Sequence, residues 1–366
     1  MALRDLLKVM VEQDASDLYL TVGMPPAYRV QGAVVPRGKA ALEGQHTAAI
    51  AESVMNERQR TEFAQTKEMN LAMQDPGLGR FRVNIFRQRG EVGLVIRQIK
   101  LKIRTLDDLR YPPILKDLIM TKRGLILVVG ATGSGKSTLL AALIDHRNAN
   151  ESGHIVTIED PVEFVHPHKR CVITQREIGL DTENYAAALK NTLRQAPDVI
   201  LIGEIRDSET MEAAIAFAET GHLCLGTLHA NNSNQAIERV LNFFPPEGHA
   251  VIRANLALNI RAIISQRLVP TVDEKRAAAL EILIGTQRVK DLVHKGEVAE
   301  LKEVMTQSTQ EGMQTFDQAV YTLYVEKRIT LEMALAYADS TTDLRLRIRT
   351  SADAESWKAQ ATSLKI

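Results

Sequence analysis

The sequence GATGSGKS at 130–137 constrains the fold more than any other part of this 366-residue chain. It follows the apolar run LILVV and precedes the helical run STLLAALIDH, so it occupies a strand–loop–helix turn. In this pattern, glycines let backbone amides converge on phosphate oxygens at the start of a helix. A chance match in a chain of this length occurs on the order of once in a hundred at ordinary glycine frequency. The loop therefore predicts a nucleotide-binding protein.

The residue types of this loop predict how it would hold ATP and Mg²⁺. Lys136 is expected to reach the β- and γ-phosphates, and Ser137 is expected to hold Mg²⁺. The positive end of the helix that begins here favours the same anion. The candidate nucleotide-binding residues of the loop are Gly130, Ala131, Thr132, Gly133, Ser134, Gly135, Lys136, Ser137 and Thr138.

Short apolar runs rich in β-branched residues alternate with helical stretches from about residue 122 onward. They lie at Leu125–Val129, Ile155–Ile158, Val199–Ile202 and Leu223–Thr227. Buried strands alternating with helices are typical of a parallel sheet covered on both faces. The fold class is therefore predicted as α/β, and the chain is expected to turn mainly helical after about residue 247.

Carboxylates follow two of these predicted strands. Glu204 ends the segment DVILIGE, as in a Walker B strand, and is expected to act on Mg²⁺ or on the attacking water. The segment TIEDPVEF places Glu159, Asp160 and Glu163 close together, which favours a bound cation. Glu163 or Glu159 would serve as general base. A strand-end cap for Glu204 and a solvated acidic turn for the other three are the alternatives.

Two histidines flank a third strand in the segment TGHLCLGTLH. His229 comes at the carboxyl end of this strand, where parallel sheets bind ligands, and His222 precedes the strand. Both are predicted as sensors of the γ-phosphate or of a neighbouring subunit. A histidine satisfied by its own core is the alternative for each.

The chain before residue 100 predicts a small α+β domain. RFRVNIF at 80–86 alternates with period two, which predicts a strand that pairs with Glu91–Ile99 as a hairpin. A helical stretch is predicted at about 46–63. The predicted organisation is an N-terminal domain at 1–100, a linker or hinge at 101–118, an ATPase domain at 119–345 and a polar tail at 346–366.

Charge and cysteine content narrow the function classes. Lysine plus arginine and aspartate plus glutamate number 45 each, whereas proteins that grip a nucleic-acid backbone usually carry a basic excess. The two cysteines have no CxxC spacing, so a thiolate zinc site is not expected. The sequence has no apolar run long enough to span a membrane, so we expect a cytoplasmic protein. Any contact with a membrane is expected to be made through partners.

The motifs GATGSGKS, TIEDPVEF, LRQAPDVILIGEIRD, AETGHLCLGTLHANN and ISQRL occur in this order. Together they resemble the secretion ATPase family of type II secretion and type IV pili. SDLYLTVG, RFRVN and GMQTFDQA resemble its PilT/PilU retraction branch. The segment RVKDLVHK, at the place of the PilT segment AIRNLIRE, and the longer C-terminal region resemble the PilU type more closely.

The resemblance implies a RecA-like ATPase domain behind a PAS-like N-terminal domain, in a ring of six subunits with ATP at the interfaces. It implies Glu163 as catalytic glutamate, Glu204 as Walker B glutamate, and His222 with His229 as the histidine box. Arginines from a neighbouring subunit are expected to complete the site. The candidates are Arg82, Arg97 and Arg104, and a solvated surface position is the alternative for each.

The resemblance also implies pilus retraction and twitching motility, at the inner face of the inner membrane. The implied partners are an inner-membrane platform protein and a PilT-like ring that this chain would assist. Two other functions are left open. The chain could be a RecA-type motor on nucleic acid, or an ATP-binding docking subunit with little hydrolysis of its own.

Overall fold

A computed structural model describes residues 2–30, 32–99 and 103–350 of the chain. These residues form two compact units. The first comprises the described residues up to Ile99 together with Val162–Val165, and the second comprises the others. No helix within the described ranges is long and apolar enough to span a bilayer. The domain boundaries inferred from the sequence stay predictions.

The first unit is an antiparallel sheet with helices packed on it. Its helices and strands are α1 (Leu3–Glu12), β1 (Asp17–Leu20), β2 (Ala27–Val30), β3 (Ala33–Pro36), α2 (Gly44–Val54), α3 (Glu57–Thr66), β4 (Glu68–Asp75), β5 (Gly79–Gln88) and β6 (Glu91–Ile99). The strand order is β3-β2-β1-β6-β5-β4. Strands β5 and β6 form the predicted hairpin.

Buried and partly exposed residues alternate along β5, so one face of this strand packs in the core. Phe81, Val83 and Ile85 are fully buried, whereas the residues between them are partly exposed, as the period of two predicts. The helical stretch predicted at about 46–63 is present, but it consists of two helices, α2 and α3, with a break before α3 at Asn56. Asn56 adopts an extended conformation and its side chain accepts a hydrogen bond from Gln59 N, so it caps a new helix.

The second unit contains the predicted α/β sheet. Its strands are β7 (Gly124–Val129), β8 (Gly153–Glu159), β9 (Cys171–Glu177), β10 (Val199–Ile202), β11 (Leu223–Leu228), β12 (Ile260–Pro270) and β13 (Arg276–Ile284). Its helices are α4 (Ile114–Ile119), α5 (Lys136–Asn150), α6 (Tyr185–Thr192), α7 (Ser208–Glu219), α8 (Ser233–Leu241), α9 (His249–Asn259), α10 (Gln287–Lys295), α11 (Leu301–Gln307), α12 (Phe316–Val325), α13 (Leu331–Tyr337) and α14 (Thr341–Thr350).

The strand order β13-β12-β7-β11-β10-β8-β9 places β7 inside the sheet. All pairs are parallel except β12 with β13. Leu125, Leu127 and Val129 of β7 enter one core, and Ile126 and Val128 enter the core on the other face. The strand is therefore buried on both sides, as its continuous apolar run predicts.

The region after residue 247 is mainly helical, as the sequence predicts, but β12 and β13 form a long hairpin within it that the sequence did not predict. Strand β12 also pairs in parallel with β7. Apolar runs such as AIISQRLV do not distinguish a buried strand from a buried helix by periodicity alone. The pairing with β7 decides the matter, and only the folded sheet supplies it.

Segments interpreted from the sequence as linker and tail contain packed structure. Leu106, Leu115 and Leu118 of the predicted linker are buried in the core of the second unit. Helix α14 includes residues 346–350 of the predicted tail, and its Ile348 is fully buried. The remainder of the tail and residues 101–102 of the linker lie outside the described residues.

Glu281 of β13 is a buried carboxylate held by three hydrogen bonds. Its Oε1 accepts from Ser233 N at 2.7 Å, from Ser233 Oγ at 2.8 Å and from Ser265 Oγ at 3.2 Å. Burial raises its pKa above the ordinary value of 4.5, against the lowering effect of these bonds. A raised folded-state pKa contributes stability below the unfolded-state pKa, and this contribution is lost as the pH rises through the folded-state value.

We predict that Glu281→Gln removes this pH dependence and keeps the accepting oxygen. The free energy of unfolding of the wild type should fall relative to the variant as the pH rises above 4.5. Urea unfolding across a pH series measures the difference, with Glu274→Gln at an exposed position as the control. Parallel pH curves for the wild type and Glu281→Gln would contradict the prediction.

Candidate nucleotide-binding site

The loop at 130–135 joins β7 to α5, in the strand–loop–helix arrangement that the sequence predicts. Gly130, Gly133 and Gly135 have φ angles of 154°, 76° and 94°, a region that favours glycine. A Cβ at Gly130 would lie 2.7 Å from the carbonyl oxygen of Gln266. The backbone conformation therefore favours glycine at all three positions, and close packing requires it at Gly130 and Gly135 as well.

The interior of the loop is polar. Lys136 Nζ donates to the carbonyl oxygens of Gly130 at 2.7 Å and Ala131 at 3.0 Å, so its ammonium group lies at the loop. Ser134 Oγ is buried and has no hydrogen-bond partner in the described part of the chain. A buried hydroxyl of this kind fits a ligand with hydrogen-bonding oxygens. Ser137 lies in the first turn of α5, beside Lys136.

The loop is supported from β12 by a residue that the sequence reasoning did not single out. Gln266 Nε2 donates to Ser134 O at 2.9 Å, and Tyr111 Oη donates to Gln266 Oε1 at 3.2 Å. Gln266 is 1% exposed. The segment ISQRL was the only signal available, and its role depends on the pairing of β12 with β7.

A cavity of about 670 Å³ adjoins the loop within the second unit. Arg104, one of the predicted arginines, lines it, and so does Thr138 of the predicted loop. Its other lining residues include Tyr111, Arg276, Lys327 and Arg328. The basic groups come from three separate chain segments, so only the tertiary structure brings them together.

Glu204 and His229 meet at the carboxyl edge of the sheet. His229 Nε2 lies 3.1 Å from Glu204 Oε1, and Arg206 Nη2 donates to Glu204 Oε2 at 2.6 Å. Arg206 Nη1 also lies 3.8 Å from Asp160 Oδ2. Strands β8, β10 and β11 are parallel neighbours, so the residues that follow them converge at one edge.

The pKa of Glu204 is lowered although its burial alone would raise it. The hydrogen bond and charge of Arg206 outweigh burial, and the charges of His229 and Lys136 act in the same direction. Glu204 is therefore held as a carboxylate next to the phosphate loop. A carboxylate there suits the binding of a cation or the orientation of a water molecule.

Arg206 and Tyr185 are two further residues of this cluster that the sequence reasoning missed. Arg206 is part of the quoted segment GEIRD, so the signal was present without a stated role. Tyr185 begins α6, and burial, followed by the charge of Asp160, raises the pKa of its hydroxyl. No motif pointed to Tyr185, because only the packing of α6 brings it here.

The structure does not bring His222 to this edge. It precedes β11, whose six residues separate it from His229 by about 20 Å at the usual rise per residue. Its Nδ1 lies 3.1 Å from Thr220 Oγ1 and 3.2 Å from Phe217 O, at the end of α7. His222 therefore does not lie beside the phosphate loop of the same chain. Its sensor role stays a prediction.

The two carboxylates proposed as general base differ in their surroundings. Glu159 Oε1 accepts from Thr157 Oγ1 at 2.6 Å and from Gln175 Nε2 at 3.1 Å. Glu163 is exposed and belongs to the segment Val162–Val165, which groups with the first unit. Its role stays a prediction.

Arg82 and Arg97 lie in the first unit, on the hairpin of β5 and β6, where they are cross-strand partners. Arg97 Nε donates to Asp17 Oδ1 at 2.7 Å. Arg104 belongs to the second unit, and its Nη2 donates to Asp108 O at 3.1 Å. Two of the predicted arginines are therefore neighbours in one sheet, whereas Arg104 belongs to the other unit.

Comparison with known proteins identifies the family to which the chain belongs. The family model described as type II/IV secretion system protein matches residues 3–355. The type IV pilus ATPase PilU of Pseudomonas aeruginosa is 54% identical over 371 residues, covering 100% of this chain and 97% of the relative. The type IV pilus retraction ATPase PilT of the same organism is 41% identical, covering 91% and 97%.

A solved structure agrees with these relatives. The crystal structure of the pilus retraction motor PilT with bound ADP matches with a TM-score of 0.88 at 38% identity, covering 94% of this chain and 99% of that chain. The predicted family, its retraction branch, the fold of the ATPase domain and the assignment as an ATPase are confirmed. The PAS-like character of the first unit stays a prediction. The chain belongs to the type II/IV secretion system protein family, in the branch of the pilus retraction ATPases PilT and PilU.

Proposed function

We propose that the chain is the ATP-hydrolysing subunit of a hexameric motor that retracts type IV pili and drives twitching motility. The observation that carries this proposal is the cluster of Glu204, His229 and Arg206 beside the phosphate loop. A loop that binds phosphates and a carboxylate held in its ionised form are two of the elements that ATP hydrolysis needs. The identity with PilU over the full chain supports an accessory role beside a PilT-like ring.

In this proposal the loop amides and the start of α5 hold the phosphates of ATP. Lys136, which contacts its own loop carbonyls, transfers its hydrogen bonds to the β- and γ-phosphate oxygens. The cavity lined by Arg104, Arg276 and Arg328 accommodates the remainder of the nucleotide. Its volume of about 670 Å³ lies within the range of ordinary ligand sites.

The strand-end residues carry the chemistry of hydrolysis. Glu163 acts as general base on the attacking water. Glu204 orients this water and the ligands of Mg²⁺. Mg²⁺, when bound, supplies charge neutralisation on the phosphates, and Ser137 and Glu204 would hold it. His229, in contact with Glu204, is suited to respond to the γ-phosphate. Arg82 and Arg97 of a neighbouring subunit complete the site.

Motion follows from loss of these contacts. Closure of a subunit interface around ATP and its relaxation after hydrolysis would move a central partner. We propose an inner-membrane platform protein as that partner, which places the motor at the inner face of the inner membrane. The balance of 45 basic and 45 acidic residues favours a protein partner over nucleic acid.

We predict that Lys136→Ala and Glu204→Gln each lower ATP turnover by at least about 100-fold, because Lys136 stabilises charge on the reacting phosphate and Glu204 acts on the attacking water and on Mg²⁺. Steady-state phosphate release by the purified protein measures this. Lys190→Ala, at an exposed position of α6, serves as the control and should turn over as the wild type does. Wild-type turnover no faster than that of Lys136→Ala would instead indicate an ATP-binding docking subunit.

We predict that Arg206→Gln shifts the pH dependence of turnover. Removing the hydrogen bond and the charge of Arg206 raises the pKa of Glu204, so protonation begins at higher pH. The acid limb of kcat/KM against pH should therefore move to higher pH. Arg194→Gln, at an exposed position, is the control. An unmoved acid limb would exclude Glu204 as the titrating group.

The cellular role predicts a specific phenotype. Deleting the gene should leave surface pili abundant and reduce twitching, because assembly continues while retraction is weakened. Complementation with Lys136→Ala separates the two forms of the proposal, since an accessory that needs no hydrolysis would still restore motility. Unchanged piliation and motility in the deletion strain would count against a retraction role.

A further inference from the structure

A row of charged side chains crosses four strands of the first unit. Arg29 of β2 is the register partner of Asp17 of β1, which is the partner of Arg97 of β6, which is the partner of Arg82 of β5. Cross-strand partners share one face of a sheet, so the four side chains lie on the same face. The alternate residues of β5 enter the core on the other face.

Asp17 is the centre of this row. Its side chain is only 4% exposed, and its Oδ1 accepts from Arg97 Nε at 2.7 Å. Its Oδ2 accepts from Ser16 Oγ at 2.8 Å and lies 3.5 Å from Arg29 Nε. A carboxylate with this little exposure must be paired, so its contacts hold the arginines in defined positions.

The two arginines bound to Asp17 differ in what else they contact. Arg29 Nε donates to Tyr19 Oη at 2.8 Å, its Nη1 donates to Gly32 O at 3.0 Å, and its guanidinium lies 5.5 Å from the centre of the Tyr19 ring. Arg29 is therefore committed to its own unit. Arg97 is 68% exposed, and its ion pair uses Nε, which leaves the two terminal amino groups to bind a second anion.

The pairing of Arg97 with Arg82 adds a second observation. Like charges directly opposite each other destabilise a sheet, and Arg82 forms no ion pair with any residue in the described ranges. Two adjacent guanidinium groups are the arrangement that an oxyanion such as a phosphate bridges. Asp17 offsets part of the repulsion and leaves the row with a net positive charge.

We propose that Asp17 is the positioning residue of Arg97, which it holds by Nε so that the terminal amino groups, together with Arg82, bind phosphate oxygens. The inference rests on the proposed function, in which those oxygens belong to ATP on a neighbouring subunit. In this proposal Asp17 acts through Arg97 and is not itself a catalytic residue. Its contribution is to restrict a long, flexible side chain to one orientation before the anion arrives.

The test is ATP turnover by full-length Asp17→Asn. The variant keeps the size of the side chain and an accepting oxygen but loses the charge that holds Arg97. We expect kcat to fall about tenfold, because a misplaced catalytic group loses this much or more. Binding of fluorescent ADP should be unchanged, since the phosphate loop of the same chain is intact. Asp75→Asn, which breaks the Arg4–Asp75 ion pair of the same unit, is the matched control and should keep wild-type turnover.

A double-mutant cycle distinguishes positioning from general damage. In the Arg97→Ala background, Asp17→Asn should have no further effect on kcat, because its target is absent. The same loss of kcat in both backgrounds would overturn the proposal, and so would wild-type turnover by Asp17→Asn.

Arg97→Lys keeps the test decisive if Asp17→Asn does not fold. Lysine retains the charge but has neither the Nε donor nor the planar fork, so turnover should fall to nearly that of Arg97→Ala. Turnover of Arg97→Lys at the wild-type level would show that charge alone suffices and would overturn the positioning role. Lys136→Ala distinguishes failure of the proposed ATPase function from failure of the Asp17 proposal. If Lys136→Ala turns over ATP as fast as the wild type, the proposed function fails. If Lys136→Ala is inactive while Asp17→Asn and Arg97→Lys keep wild-type turnover, only the role of Asp17 fails.

Discussion

Close packing of the phosphate loop against Gln266 is the contact on which the rest of the site depends. A Cβ at Gly135 would lie 2.5 Å from Gln266 Nε2, and the same amide group donates to Ser134 O. Gly130 and Gly135 therefore serve two purposes, since they permit the loop conformation and allow the approach of β12. Because Gln266 is held in turn by Tyr111, the loop is shaped by the sheet and not by its own sequence alone.

Charged residues at the carboxyl edge of the sheet determine the electrostatics around that loop. Glu204 follows β10 and His229 follows β11, and both strands run parallel to β7, which leads into the loop. Arg206 and His229 keep Glu204 ionised in spite of its partial burial. Glu281 accepts two hydrogen bonds from Ser233, which begins α8 four residues after His229.

Carboxylates hold arginines in both units, with different consequences. In the second unit Arg206 serves the carboxylate, since it lowers the pKa of Glu204. In the first unit the carboxylate serves the arginine, since Asp17 is nearly buried and Arg97 is exposed. In the function we propose, the first pair prepares the carboxylate that acts on water, and the second prepares a cation for the phosphate that arrives with the nucleotide.

The sequence by itself determined the phosphate loop, the buried strands β7, β8, β10 and β11, and the candidates Glu204 and His229. Local rules suffice for these, because glycine spacing and apolar runs act over a few residues. Only the tertiary structure decided that β12 and β13 are strands, that Gln266, Arg206 and Tyr185 join the site, and that His222 lies at the opposite edge. These outcomes depend on which strands pair and in which direction, and pairing between residues more than 100 positions apart, as in Tyr111 with Gln266, leaves no mark on either segment alone.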